Sequence, residues 1–424
     1  MFKLWATIRK DIRVLLRDKV GISLMFVMPI ILVVVVTSIQ NSTFQLVSKN
    51  RLPILICNKD TGQSSIQMIK AIGAIGMFKV SQIPKNENKI ANAMQNTDAM
   101  LSIVIPANFS AKVSAKSKSV AGKALTSFGL QGDTLKNQVG DVDPLTLYYN
   151  PVLQESLRLS VKGALQSALQ MVESRETLRT LYFSINEKQL PEKLENEMLN
   201  NRTPINEIPV SKDGTRITPN ATQHNVPAWT IFAMFFVIMS LGGSVVREKV
   251  SGSYIRLKTL PTSYHVALIS KQITYLAVTL LQAAVIFSIG IWLFPYVNLP
   301  ALNPPSDLLA LLITTLICGW CAVSYAICVG VFSDTQEQSN GFGAVSIVIL
   351  AAIGGLMVPS FAMQGAFKTA ADISPMHWCL QAYYTLFLEG GKLKDILNNL
   401  IPLFIITVVI QIITYLGLKR KNLI

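Results

Sequence analysis

Histidine and cysteine are scarce in this chain: three of the first and five of the second among 424 residues. That leaves little material for a metal centre or a disulfide framework. His224, His265 and His377 fall near the ends of apolar runs, with no carboxylate or cysteine at ligand spacing, and read as interfacial side chains. Charge is sparse as well, at 15% of residues against 50% hydrophobic, with a mean hydropathy of +0.42. That balance is foreign to soluble globular proteins and ordinary for polytopic membrane proteins. The phosphate loop Gly-x-x-x-x-Gly-Lys-Ser/Thr is missing, which excludes ATP hydrolysis by that route in this chain. No nucleophile–base pair or metal cluster stands out, so an enzyme is the weakest reading.

What the chain does have is long apolar runs with basic flanks. The formal net charge is +14. Its basic residues border the runs instead of forming one stripe, so a lipid bilayer explains them better than nucleic acid. Six charge-free runs reach the roughly 20 residues a helix needs to cross a bilayer. They are Val20–Ile39, Val226–Val246, Gln272–Pro295, Leu308–Ser333, Gln338–Phe361 and Ile396–Leu418. The first has too long an apolar core for a cleaved signal, and no small-x-small site follows it. Lys3, Arg9, Lys10, Arg13, Arg17 and Lys19 precede it, and Lys419-Arg420-Lys421 follow the last run. Both ends are therefore expected in the cytosol, which requires an even number of spans.

The expected fold is a polytopic α-helical membrane protein with six transmembrane helices and an α/β extracytoplasmic domain between spans 1 and 2. Residues 1–19 form a cytoplasmic amphipathic interfacial helix, 20–40 the first span and 41–225 the outer domain. Residues 226–424 hold five spans, at 226–246, 272–295, 308–333, 338–361 and 396–418. On the interfacial helix Trp5, Ile8, Ile12, Leu15 and Leu16 share an apolar face, which suits a surface anchor or a lever that a partner could push. In the outer domain "LPILICNKD", "MFKVSQIP", "AMLSIVIPANF" and "LTLYYNP" read as strands. "SSIQMIKAIGAIG" and "NKIANAMQ" read as helices, as does a segment keeping Val161, Leu165, Ala168, Leu169 and Val172 in register. The polar stretch Ser114–Asp143 reads as loop.

Cys318-Gly-Trp-Cys321 has the spacing of a redox site. It lies inside an uncharged run with no preceding strand, where cysteines act as small hydrophobes. The segment 247–261 is more specific. Arg247, Glu248, Lys249, Arg256 and Lys258 crowd between two spans, and on a helix Glu248, Gly252 and Arg256 would line one face. Gly252 costs such a helix about 1 kcal/mol, so either a backbone approaches closely or the helix breaks. Pro261 stops the helix before the next span. A docking elbow and a solvated connector fit these residues equally well.

At this elbow the sequence resembles the ABC-2 family of ABC exporter permeases. Arg247, Glu248, Gly252, Arg256, Leu257 and Pro261 match its R-E-x-x-x-G-x-x-x-R-L…P pattern. "WATIRKDIRVLLRDK" before "FVMPIIL", "VPAWTIFAMFFV", and "ISPMHWCLQAYYTLFLEGG" resemble its interfacial helix with first span, its second span, and the segment before its last span. Lys10-Asp11 departs from the Lys-Glu common in relatives. The resemblance covers nearly the whole chain, most weakly residues 110–220, in the subgroup with one span, a large outer domain and five further spans.

It implies a half-transporter of the cell inner membrane, one of two permeases, identical or closely related, working with separate ABC ATP-binding subunits. Those subunits would bind ATP and Mg, so this chain needs no cofactor of its own. Arg9, Lys10, Arg13, Arg17, Glu248, Gly252, Arg256, Leu257 and Pro261 would receive the ATPase stroke. The second and fifth spans would line the path, with Phe232, Phe235 and Phe236 opposite Gly354, Gly355 and Met357. Residues 364–394 would be a re-entrant outer segment, with Trp378, Tyr383 and Tyr384 at headgroup level. Spans without charge suit export of a hydrophobic or amphipathic molecule, such as a drug or lipid. A periplasmic adaptor is a further expected partner. The competing reading is a membrane-anchored receptor or assembly scaffold whose outer domain binds a ligand or protein without transport.

Overall fold

A computed structural model describes residues 2–48, 51–83, 90–97, 99–127, 129, 144–151, 153, 155–200, 211–212, 214, 220–252, 264–357, 363 and 365–421. The chain forms two units, Met1–Ser42 with Glu207–Ile424, and Thr43–Asn206.

Helix α1 (Phe2–Arg17) is followed at once by α2 (Lys19–Ser48). The expected apolar face of α1 divides between the bundle and the surface. Asp11 and Leu15 are buried, with Leu4 and Ile8 half-buried beside them. Trp5, Ile12 and Leu16 are exposed, at 66%, 41% and 65%. Counter-charges in the bundle draw Asp11 inward, and the outward apolar residues are left for a lipid surface.

The Thr43–Asn206 unit holds β1 (Leu52–Asn58), α3 (Gln63–Ala74), β2 (Phe78–Gln82), α4 (Ile90–Asn96), β3 (Leu101–Ile105), α5 (Phe109–Ser127), β4 (Thr146–Tyr149), α6 (Glu155–Asn186) and α7 (Glu192–Asn200). Its sheet runs β2-β1-β3-β4, parallel except for β4. Ile54 and Ile56 of β1 and Ile103 and Ile105 of β3 share one face with Met68, Phe109, Val113 and Val161 of the helices α3, α5 and α6. Cys57 and Val104 pack with Ile90 of α4 in a separate cluster on the other face. β1 is apolar along its length because both its faces are covered.

The expected loop over Ser114–Asp143 is helical as far as Ser127. Val113, Ser117, Ala121 and Leu125 recur every four residues as a buried stripe, while Lys116, Lys118 and Lys123 stay in solvent. Residues 128 and 130–143 lie outside the described residues. Helix α6 has 32 residues, a length of about 48 Å. Buried Glu195 of α7 ties back to it through Arg175 and Arg179, each at 2.9 Å.

Where β1 and β3 end, two helix starts cap each other. Asp60 accepts the Ser110 N–H at 3.1 Å and the Ser110 hydroxyl, and Ser110 Oγ accepts the Ser65 N–H at 3.1 Å. Burial pushes the Asp60 carboxyl up, but hydrogen bonds from Ser110, Thr61 and Gly62 outweigh it and hold the pKa below the ordinary 3.8.

The membrane unit continues with α8 (Ala221–Phe235), α9 (Ile238–Val250) and α10 (Tyr264–Ser288), the last extended by a π turn and a 3-10 turn to Val297. Then come α11 (Leu308–Phe332), α12 (Gln336–Ile353), α13 (Ala366–Ile373), α14 (Pro375–Phe387) and α15 (Leu393–Arg420). Among the described residues five stretches are long and apolar enough to cross a membrane: Lys19–Asn41, Ala221–Val250, Tyr264–Val297, Leu308–Phe332 and Leu393–Arg420. The third starts before its expected Gln272 and so includes Lys271. The expected span 338–361 differs: α12 opens with Gln336-Glu337-Gln338, ends at Ile353, and turns at Gly354 and Gly355 (φ 97°). Residues 358–361 lie outside the described residues.

α11 is the hub, packing on α8, α9, α10, α14 and α15. It approaches the α9 backbone closely, where a Cβ on Gly330 would sit 2.9 Å from the Gly242 carbonyl oxygen. One end of the bundle gathers the ends of α9, α11 and α15. Lys249 donates to Val331 O at 3.2 Å and to Ser333 O, while Lys421 donates to Phe332 O at 3.0 Å and pairs with Asp334 at 2.8 Å. Two cations thus meet the carbonyl end of α11. The far end gathers the starts of α8, α11 and α15: Thr222 donates to Pro300 O at 2.7 Å, and the Leu393 N–H to Asp307 at 3.1 Å.

Two measurements test these packings. Gly330→Val should cost about 1–3 kcal/mol through overpacking, read as a lower melting temperature of the purified protein. Asp60→Ala should cost about 1 kcal/mol as a lost helix cap. The wild-type advantage should be complete above pH 3.8 and fade as pH falls through the lower folded pKa, followed by unfolding at a series of pH values.

Candidate functional site

The end of the bundle that gathers α9, α11 and α15 carries a buried cluster of charge. α10 brings Lys271, only 2% exposed, which sits 3.2 Å from Glu248 of α9 and 3.6 Å from Asp11 of α1. Its ammonium also donates to Ser244 at 2.8 Å. Lys10 closes the group, 2.8 Å from Glu248 and 3.3 Å from Asp11. Asp11 accepts a further hydrogen bond from the Ser270 hydroxyl at 2.7 Å. Two cations thus balance two carboxylates. A charge taken from water costs several kcal/mol, which only close partners offset. Burial works against the Lys10 ammonium, yet Glu248 and then Asp11 hold its pKa above the ordinary 10.5. Beside the cluster a cavity of about 260 Å³ is lined by Leu15, Asp18, Ser240, Arg247 and Tyr275 among others. The Ser240 hydroxyl lies 3.1 Å from Tyr275 and 3.5 Å from Asp18.

The arrangement offers no nucleophile and, among the described residues, no group of three or more metal-ligating side chains. What it can do is mechanical. Three of its four ion pairs join different helices among α1, α9 and α10, and two of those three hold α1, so displacing α1 breaks charge contacts inside a poorly hydrated site.

Of the residues expected to couple to an ATPase, Lys10 and Glu248 meet directly. Arg9, Arg13 and Arg17 stand exposed on α1. The helix that carries Glu248 does not run on through Gly252: α9 stops at Val250, and Gly252 takes a left-handed φ of 66°. Glycine ends a helix this way because it alone enters that region without strain. Arg256, Leu257 and Pro261 lie outside the described residues. Lys271, Asp11 and the Lys249–Asp334–Lys421 group were not expected in the site. The available signal was an acid at position 11, inside the stripe of Leu4, Ile8 and Leu15 at helical spacing.

Phe232, Phe235 and Phe236 are buried within the bundle, Phe235 wholly, beside Tyr325 at 6.1 Å between ring centroids. Gly354 packs so closely that a Cβ would lie 3.0 Å from that of Met376; Gly355 is also buried, and Met357 is 46% exposed. Tyr383 faces the interior of the bundle. It is fully buried and donates to Thr315 at 3.0 Å, because its hydroxyl needs a partner within the bundle. Cys318 and Cys321 are buried and form no disulfide, nor do the buried Cys57 and Cys379. His224, His265 and His377 pack on Tyr384, Tyr415 and Trp378 respectively.

A helical bundle of several membrane-length spans, with a charge cluster joining an interfacial helix to the bundle, defines a multi-pass membrane protein. The chain belongs to the ABC-2 family: residues 19–416 match the model described as ABC-2 family transporter protein. It is 22% identical over 428 residues to the "Probable multidrug ABC transporter permease YbhR" of Escherichia coli strain K12, an alignment covering 99% of each chain. The protein of that name from Escherichia coli O157:H7 matches to the same extent. The family makes this chain a transporter subunit of the membrane and implies an ATP-binding partner.

Lys271→Met should lower stability by about 3–5 kcal/mol, because it leaves two buried carboxylates facing Lys10 alone. Thermal unfolding of the detergent-purified protein checks this. A change within error of wild type would show that water already reaches the cluster.

Proposed function

We propose that this chain is the permease half of an ATP-driven exporter in the cell inner membrane, acting as a homodimer or with a related permease. Separate subunits bind ATP and Mg and press on α1 and on the elbow after α9. Our main support is the Lys10–Glu248 pair at 2.8 Å, backed by Lys271: a push on α1 reaches the second and third membrane helices through charge contacts. A six-span arrangement with both tails in the cytosol has support from the bundle ends. α1 and the ends of α9, α11 and α15 share one end, so the chain crosses an even number of times. With five long stretches already counted, α12 supplies the sixth crossing, and α13 and α14 form the re-entrant outer segment. The unit between the first two spans then lies outside, where it gates release or docks a periplasmic adaptor.

The cargo we infer is hydrophobic or amphipathic. The polar side chains buried deep in the bundle, such as Gln282, Thr315 and Thr407, are neutral, which suits such a molecule better than an ion relay. The relatives' multidrug designation agrees with this class. The path along the second and fifth spans, at Phe232, Phe236, Gly355 and Met357, forms part of the same proposal. Glu248→Gln with Lys10→Ala should remove about tenfold or more of the partner's permease-stimulated ATP hydrolysis while membrane insertion persists. Full stimulation by this variant would take the charge cluster out of the coupling. A chain that neither copurifies with nor stimulates an ATP-binding subunit would favour the receptor or scaffold reading.

A further inference from the structure

Two helix irregularities in the membrane unit meet at one side chain. Pro29 lies inside α2 and has no N–H, so the Met25 carbonyl, four residues earlier, loses its helical donor. The second span is interrupted between α8 and α9. There the Val237 N–H turns to Met234 O at 3.3 Å, away from Ala233, which an unbroken helix would use and whose carbonyl takes the Phe236 N–H at 3.2 Å instead. Gln282 of α10, only 1% exposed, serves both places: its amide donates to Met25 O at 2.8 Å and to Ala233 O at 3.3 Å. Its own Oε1 is buried with no hydrogen bond among the described residues.

We infer that Gln282 is a positioning residue for transport, a pin that makes the Pro29 bend of α2 and the α8–α9 break move together. This rests on the permease reading above. Backbone carbonyls at such depth need donors, and one amide shared between two helices couples them where side-chain packing is thin. α2 is thinly packed, exposing Val20, Val27, Ile31, Val35 and Ile39. A push on α9 tilts it about the Phe236–Val237 break, and the shared amide carries the tilt to α2. The unused Oε1 gives the amide room to rebind in a second arrangement, since a buried acceptor without a donor is not at its lowest energy. Without the amide each bend relaxes separately, and ATP is spent without the coordinated movement.

The test uses the complex with its ATP-binding subunit in lipid nanodiscs, the native cysteines replaced, and nitroxide labels on Val35→Cys and Val250→Cys. Wild type should change its label distance between the nucleotide-free and ATP–vanadate states. Gln282→Leu should trap nucleotide within about twofold of wild type, yet lose about fivefold or more of the distance change, the lower range of a site-to-site coupling. Pro29→Ala returns an N–H to Met25 O. In the double variant it should recover thermal stability but not the distance change. A distance change that persists in Gln282→Leu overturns the inference, as does its full return in the double variant, which would make Gln282 a plug for the orphan Met25 carbonyl only. If wild type neither traps nucleotide nor moves, the permease reading falls and this inference with it.

Discussion

An ammonium group taken out of water must find carboxylates, and Lys271 imposes that requirement on three helices at once. Glu248 has to arrive on α9 and Asp11 on α1, with Lys10 restoring neutrality. The requirement explains why α1 turns a charged residue inward and leaves tryptophan outside, against the plain logic of an amphipathic helix. At Asp18 the chain stops, caps the first turn of α2 through the Gly21 N–H at 2.9 Å, and enters the membrane.

The bundle combines a stiff half and a loose half. α11 lies against α9 at glycine distance, and both its neighbours' ends are bound to its terminal carbonyls by lysines. Apolar packing that close leaves few alternative arrangements. α2 and α1, by contrast, keep much of their surface open; Leu15, Met25 and Val33 reach the apolar core, and polar contacts join them to it at the charge cluster and at the Gln282 amide deeper in. Polar contacts between helices have discrete partners and can be exchanged, whereas an interlocked apolar face has to be pulled apart. A membrane subunit that takes work from elsewhere needs both kinds of joint.

Much of this was legible in the residues. Apolar runs of about 20 residues placed four of the long membrane helices well, and alternating β-branched stretches located the four strands to within a few residues. The failures share a cause. Lys271 was assigned to a loop because an isolated lysine in a span is costly, and sequence order conceals that Glu248 and Asp11 arrive beside it. α5 is hard to read because Ser117 and Ala121 stand between Val113 and Leu125 in its buried stripe, and their low hydropathy hides a helix that packs closely. Gly252 left two outcomes open, and the left-handed φ decided for the helix end. α12 blurred because its polar opening turns shorten the apolar part of the run.

The mutual capping of Asp60 and Ser110 bears on what the α/β unit can recognise. In doubly wound sheets the crevice beyond the strand tips, where neighbouring crossovers diverge, is the usual berth for small ligands. Here that berth is occupied by the chain's own carboxylate and hydroxyl, which satisfy the helix amides a phosphate would otherwise seek. The amides at these two strand tips are therefore already satisfied within the unit, and the sheet serves as a rigid backing for its helices.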